Sequence, residues 1–430
     1  MKYNKINKNI FIQNRLNFTK LLTNNSLCIL KSSNQYLKSG DQAFDFKQNA
    51  DLFYLSGIIQ EDSILLLFPS CINQFYSEVL FIKHSNAHIE QWEGKKLTIK
   101  AAQEISGIQN VQCVADFDNI LASLVYYADN IYLNTNENDR NSDLVVDGNK
   151  LFVNEIKLKY PLHHFIRAAP LFRQLRAVKS NLEVDLIKLA CGITRDAFNR
   201  VIKFVKPNVY EYEIEAEVIH EFIKQRATGH AYTPIIASGK NACILHYNDN
   251  NQICADGDVV LFDFGAEYAN YNADMSRAIP VNGKFTTRQK AVYNAVLHVF
   301  NEAKKMLLPG TIWSHYQDEV GKIMTDQLIK LNLLTKHDVQ KQDPKMPAYK
   351  KYFMHGTSHH LGLDVHDLAS RYQAFAVGNV LTCEPGIYIK EENLGIRLEN
   401  NIYISPDGPV DLMANIPIEA DEIEYLMQTS

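Results

Sequence analysis

Val259-Val260-Leu261-Phe262-Asp263-Phe264-Gly265 sets a single carboxylate inside a run of β-branched and aromatic side chains. The run predicts a buried strand. A lone buried carboxylate costs several kcal/mol unless a cation or hydrogen-bond donors compensate it. Asp274 heads a second apolar run, Met275 to Val281, and the Asn- and Tyr-rich segment between the two runs can turn the chain back. A hairpin would bring Asp263 and Asp274 side by side, where like charges repel without a positive partner. Taken alone, the two are either ligands of a cation or residues of turns and helix caps.

Further along the chain the same pattern recurs. Glu384 interrupts Leu381-Thr382-Cys383-Glu384-Pro385-Gly386-Ile387, and Glu399 interrupts Ile396-Arg397-Leu398-Glu399-Asn400-Asn401-Ile402. His355, His359, His360 and His366 crowd into one short glycine-bearing segment, and imidazole is both the usual neutral metal ligand and the usual proton carrier near neutral pH. Asp263, Asp274, Glu384, Glu399 and one imidazole make an oxygen-rich donor set without a thiolate arrangement, which favours manganese-like divalent ions. The number of carboxylates suggests two ions. Such a pair repels by about 20 kcal/mol at an effective dielectric near 20, so several anions must hold it together.

Other readings of these segments fail on chemistry. The His355 and His359 spacing imitates a zincin helix, but Gly356 stands where that motif needs its glutamate and disfavours a helix. Asp263-Phe264-Gly265 copies a kinase tripeptide without the glycine-rich phosphate loop or the His-Arg-Asp loop that would accompany it. Cys383 adjoins Glu384, yet neighbouring strand residues face opposite ways, so it reads as a core thiol. Asn17-Phe18-Thr19 is a glycosylation sequon only if the chain is secreted, and no signal-peptide pattern supports that.

The whole chain is ordinary in composition, with 430 residues, 46% of them hydrophobic and 22% charged. These values exclude disorder and small disulfide scaffolds and allow two or three domains. A net charge of -5 offers no positive field for nucleic acid, and no apolar run comes near the roughly 20 residues of a membrane span. Seven scattered cysteines without a C-x-x-C pair suit buried thiols in a reducing, cytoplasmic setting. The first forty residues are basic without an acid, as in transit peptides, but Lys and Asn supply the polarity and a first helix leading into strand Ser26 to Lys31 is preferred. Strands at Ser26 to Lys31, Ile64 to Phe68 and Glu78 to Lys83, with helices between, predict an α/β domain over residues 1–172. A loop or exposed hairpin is expected from Asn134 to Asn149. Residues 173–430 differ in texture. Ser180 and Glu183 form a capping box, helices are predicted there and over Glu211 to Arg226 and Arg288 to Leu308, and β-rich stretches cover Val259 to Pro280 and Val380 to Ile404. This half is therefore α+β, and no internal repeat is obvious in its residues.

Asp263, Asp274, His359, Glu384 and Glu399, in that order, with Ile244-Leu245-His246-Tyr247 upstream, resemble the Xaa-Pro aminopeptidase (aminopeptidase P) branch of the pita-bread metallopeptidases. Leu175-Arg176-Ala177-Val178-Lys179-Ser180 looks like the opening of that family's catalytic domain, and Gln48 to Gly57 like its amino-terminal signature. Asn208 follows Pro207 where glycine is usual, which Asn tolerates through left-handed backbone angles, and His360 stands where relatives often have Trp. The resemblance implies a pita-bread catalytic domain after an α/β domain with a mixed sheet. It implies two manganese ions, with zinc, cobalt and iron open as alternatives. Asp274 and Glu399 would span both ions, Asp263 would hold one, and His359 and Glu384 the other. A metal-bridging hydroxide would attack the Xaa-Pro bond at a peptide's amino terminus, with Glu384 as proton relay. His246, His355 and His366 would steady substrate, intermediate and leaving nitrogen, and Arg397 and Tyr388 would complete a proton-shuttling network. The amino-terminal domain would cap the cleft, with Asp41 and Trp92 as contributors to substrate binding, and would build a homodimer or homotetramer. Prolidase, with the same metal set and only dipeptides as substrates, is the rival reading. A binding protein of the same fold is disfavoured because such descendants lose ligands that this sequence keeps, and creatinase-like chemistry because it does not need five.

Overall fold

The computed structural model describes residues 3–140 and 146–429. It divides into two compact units, Lys5–Arg176 and Ala177–Ser430, the second joined by Met1–Asn4. The division falls four residues beyond the expected 172/173 boundary. Phe172 is fully buried in the first unit, stacked on Phe18 at 4.8 Å and edge-on to Tyr54, inside helix Ala169–Ala177. The proline-marked change of texture thus precedes the structural break by half a helix.

The first unit is built on a six-stranded mixed sheet. Ser26–Lys31 lies at its middle, antiparallel to Ile64–Leu67 and parallel to Asn130–Leu133. Glu78–Ile82 adds antiparallel to Ile64–Leu67, and Asn110–Cys113 and His164–Arg167 close the edges in parallel pairs. The near-continuous apolar runs of the central strands match a sheet covered on both faces. Leu27, Ile29, Leu66, Phe81, Phe117, Leu121 and Phe152 pack into one core on it. The expected loop of residues 134–149 is irregular over 134–140, and residues 141–145 lie outside the described residues. At its far end Gly148 and Asn149 already belong to helix Gly148–Lys159, because Asp147 accepts from the Lys150 N–H and starts the helix early.

The second unit repeats one order of elements twice. Helices Asn181–Phe204 and Glu211–Lys224 precede the sheet of Ile235–Ser238, Val259–Asp263 and Ser276–Pro280, and helices Thr287–Lys305 and Trp313–Lys330 precede that of Val380–Cys383, Asn400–Ser405 and Gly408–Asp411. The repetition is one of architecture and left no trace as matched residues. Ser180 and Glu183 make the capping box expected of them. Thr286 and Gln289 make another, which starts the third helix one residue early and escaped the sequence reading, as did the whole of Trp313–Lys330, whose cap position is Ile312. Glu211–Lys224 stops two residues short of Arg226, which takes a left-handed φ of 70°, and Asn208 takes 73°, as its chemistry allows.

Candidate metal centre

Three strand ends and one loop deliver the acidic side chains. Asp263 is the last residue of Val259–Asp263 and sits opposite Ser276 in the antiparallel register. Beyond it the chain makes the hairpin Ala266–Tyr268 with Tyr271–Asn272 and returns at Asp274. Gly265 permits the return, because a Cβ there would fall 1.7 Å from the Ala273 carbonyl oxygen. Asp274 itself is held by Asn401, whose Oδ1 accepts from the Asp274 N–H at 3.1 Å and whose Nδ2 donates to the Asp274 carbonyl at 2.6 Å. Glu384 and Glu399 follow the strands Val380–Cys383 and Leu394–Arg397, and Cys383 is indeed wholly buried in the core.

These positions converge. Asp274, His359 and Glu399 each offer a ligand atom, and the three atoms lie within 4.8 Å of one another. His359 Nε2 is 3.3 Å from Asp274 Oδ2 and 3.8 Å from Glu384 Oε1. His359 Nδ1 donates to the His360 carbonyl at 3.0 Å, which turns Nε2 toward the acids, and against the effect of burial, hydrogen bonding to Asp274 with the charge of Glu384 raises the imidazole above its usual pKa. Asp263 joins through two shared partners. The Tyr232 hydroxyl lies 2.5 Å from both Asp263 Oδ1 and Asp274 Oδ1, and Arg397 pairs Asp263 while its Nε donates to Ser276 Oγ at 2.7 Å. Ser276 Oγ in turn donates a hydrogen bond to Glu399 Oε2 at 2.7 Å.

The electrostatics of the cluster call for positive charge. Burial, reinforced by Asp274 and Glu384, pushes Glu399 well above the carboxylate range. Burial also pushes Glu384 up to about 7, although His359 opposes the shift, and it raises Asp263 despite Arg397. Arg397 is a single permanent cation set against four carboxyl groups. Glu399 Oε1 is buried with no hydrogen-bond partner among the described residues, a costly orphan unless something else meets it. An imidazole nitrogen aimed at the acids, an orphaned carboxylate oxygen and mutually repelling carboxyl groups together fit divalent ions.

Around this nest stand the histidines. His355 Nδ1 faces the Gly356 carbonyl at 2.8 Å, so it must donate there. Nε2 then accepts from the Tyr388 hydroxyl at 2.8 Å, and that hydroxyl accepts from Arg397 Nη1 at 2.8 Å. Burial lowers His355 to about 3, so its ring is neutral. The exposed His366 ring stands perpendicular to His359 with centroids 4.4 Å apart, and His246 is exposed. His360 is buried against Trp313, rings nearly parallel at 5.9 Å. Asp41 and Trp92 stand exposed on the first unit, Asp41 between strands Leu37–Ser39 and Gln42–Ala43 and Trp92 on helix Ala87–Glu93. They are not among the side chains the second unit gathers. The sequence reading missed Tyr232, Ser276 and Asn401. Tyr232 ends a short Gly-His-Ala-Tyr segment with no pattern to mark it, and Asn401, two residues past Glu399, is an uncharged amide whose partner Asp274 lies far along the chain.

Fold and donor set define a metal-dependent hydrolase. The description "Metallopeptidase family M24" matches residues 185–406, and "Aminopeptidase P, N-terminal domain" matches residues 11–132. The chain belongs to metallopeptidase family M24 and is a metalloexopeptidase, its second unit having the pita-bread fold. It is 32% identical to the Xaa-Pro aminopeptidases of Haemophilus influenzae and of Escherichia coli, in each case over 98% of both chains. Among solved structures it is similar to E. coli aminopeptidase P with the inhibitor Pro-Leu (TM-score 0.87, 31% identity, 99% of both chains). It is likewise similar to the Pseudomonas aeruginosa aminopeptidase PepP (TM-score 0.89, 29% identity, 99% of both chains). Among the described residues no helix is long and apolar enough to cross a membrane.

Proposed function

We propose that this chain removes the first residue from peptides whose second residue is proline, using two manganese ions held by Asp263, Asp274, His359, Glu384 and Glu399. The observation that carries the proposal is the convergence of Asp274, His359 and Glu399 within 4.8 Å, flanked by Asp263 and Glu384. The end-to-end likeness to proteins named Xaa-Pro aminopeptidase favours this substrate over dipeptides alone. When bound, divalent ions supply acidification of a water near neutral pH and polarisation of the scissile carbonyl.

The protein groups do the remainder. An Xaa-Pro bond is a tertiary amide, and its nitrogen departs well only once protonated. Glu384 is the proposed proton relay. His246 and His366, both solvent-facing, are the groups we assign to gripping the peptide and meeting the leaving nitrogen. Neutral His355 holds a fixed place in the order Arg397 to Tyr388 to His355, so the permanent charge of Arg397 keeps each hydrogen bond in one direction. Asp41 and Trp92 are carried as proposed substrate-binding residues. A cytoplasmic location and a homodimer or homotetramer complete the proposal.

The test is add-back of metal to chelated protein, assayed on Gly-Pro dipeptide and on a Gly-Pro-Xaa tripeptide, beside Asp274→Ala. Manganese should restore tripeptide cleavage in the parent and at no concentration in the variant. Turnover of the dipeptide alone would make the enzyme a prolidase, and an active variant would remove Asp274 from the cage.

A further inference from the structure

The segment from His359 to Asp367 carries a proposed metal ligand at one end and His366 at the other, with no helix or strand of its own beyond a single bridge from His360 to Leu381. Its course is set from outside. Asn272 donates both its backbone N–H (3.0 Å) and its Nδ2 (2.9 Å) to the Gly362 carbonyl. The His360 carbonyl accepts from His359 Nδ1 and from the Asp367 N–H at 2.9 Å. Asp367 then receives Lys179 Nζ on Oδ2 at 2.9 Å, in an ion pair whose two side chains are each 1% exposed. The loop is wrapped directly over this pair, since a Cβ on Gly362 would lie 2.2 Å from Asp367 Oδ2 and 2.8 Å from Lys179 Cε.

A buried ion pair is a poor source of net stability, because desolvation offsets most of its attraction and apolar side chains of equal volume serve as well. What it does supply is a fixed point. Lys179 comes from the segment Leu175 to Ser180, none of whose side chains belongs to the donor set. Its anchor is sound, because the Lys179 N–H donates to the Gly378 carbonyl at 2.8 Å and Ser180 begins the capped helix. We propose that Lys179 is a positioning residue: its buried ion pair with Asp367 fixes the backbone that aims the His366 imidazole beside His359. His366 is exposed, and its neighbour Asp367 is not, so the loop has one tethered residue next to one working residue. A ring on an untethered loop would sample several rotamers and lose alignment with the substrate, at a cost on the order of 100-fold for a displacement near 1 Å. This inference rests on the proposed role of His366 in handling substrate.

The test is a double-mutant cycle on the manganese-loaded full chain with the Gly-Pro-Xaa tripeptide, using Lys179→Met and His366→Ala. Lys179→Met should lower kcat/KM by roughly 10- to 100-fold while bound manganese per chain stays that of the parent, and Lys179→Arg should restore most of it. In the His366→Ala background, the same Lys179→Met change should cost less than about 2-fold, because the ring it aims is gone. Full additivity of the two changes, or a manganese content that falls with Lys179→Met, would overturn the proposal, since either would make Lys179 a support of the fold or of the metal site instead. Should Lys179→Met fail to fold, Lys179→Met with Asp367→Leu removes both charges and is carried through the same cycle. A His366→Ala variant as active as the parent would refute the proposed role of His366 rather than the link between Lys179 and the loop.

Discussion

Asn401→Leu tests whether the site is held by its backbone as much as by its acids. Asn401 and Asp274 exchange two hydrogen bonds at a point where neither residue lies in a paired strand ladder with the other, so the Asn side chain does the work of a missing strand. Asn401 is wholly buried, and Cys191 Sγ also donates to its Oδ1 at 3.4 Å. Leucine keeps the volume and leaves the Asp274 N–H and carbonyl buried without partners. Each orphan costs about 1–3 kcal/mol, so a loss of roughly 2–5 kcal/mol is expected. In a unit of this size that lowers the melting temperature by about 2–4 °C per kcal/mol. Loss of an outer hydrogen bond that orients a metal ligand also weakens metal binding by roughly 10- to 100-fold. Calorimetric melts of the metal-free chain give the first quantity, and titration of manganese into it gives the second. A variant that melts with the parent and binds manganese equally well would show that Asp274 is positioned by its own chain segment and not by Asn401.

Three further outcomes follow from the same geometry. Tyr232→Phe removes the hydroxyl shared by Asp263 and Asp274 and should weaken manganese binding by roughly 10-fold while leaving the circular dichroism spectrum unchanged, as titration and spectra would show. Gly265→Ala forces a methyl group against the Ala273 carbonyl and must move one of the two chain passes that carry Asp263 and Asp274; we expect manganese binding and activity to fall together, and an unaffected titration would contradict the packing. Ser180→Ala breaks the capping box of Asn181–Phe204 and should cost about 1 kcal/mol in a urea melt, with kcat/KM on the tripeptide unchanged.

What the sequence disclosed about this site depended on whether a residue broke a pattern. Asp263, Asp274, Glu384 and Glu399 each put a charge into an apolar run, and burying charge is costly enough that such an interruption is a signal by itself. The capping box at Ser180 was equally plain, being a fixed spacing of fixed chemistry, whereas Trp313–Lys330 opened on Ile312 and offered no such mark.

The supporting shell obeys a different logic. Tyr232, Ser276 and Asn401 are residue types that occur anywhere, and their partners lie far along the chain, Ser276 meeting Glu399 and Arg397, and Asn401 meeting Asp274. Their meaning exists only once the two halves of the second unit close on each other. The four acids could be read as ligands because repulsion between them demands a cation wherever they meet. The uncharged residues between them could not, because a hydroxyl or amide is neutral toward every arrangement until its neighbours are named. Burial then turns those neutral groups into the fixed parts of the site: Ser276 accepts from Arg397 and donates to Glu399 at once, so it ties the cation of the cluster to an acid that also keeps one oxygen without a partner among the described residues. The free oxygen is thereby aimed by a bond at its twin, which is how a polar side chain with no charge of its own can decide where a metal ligand points.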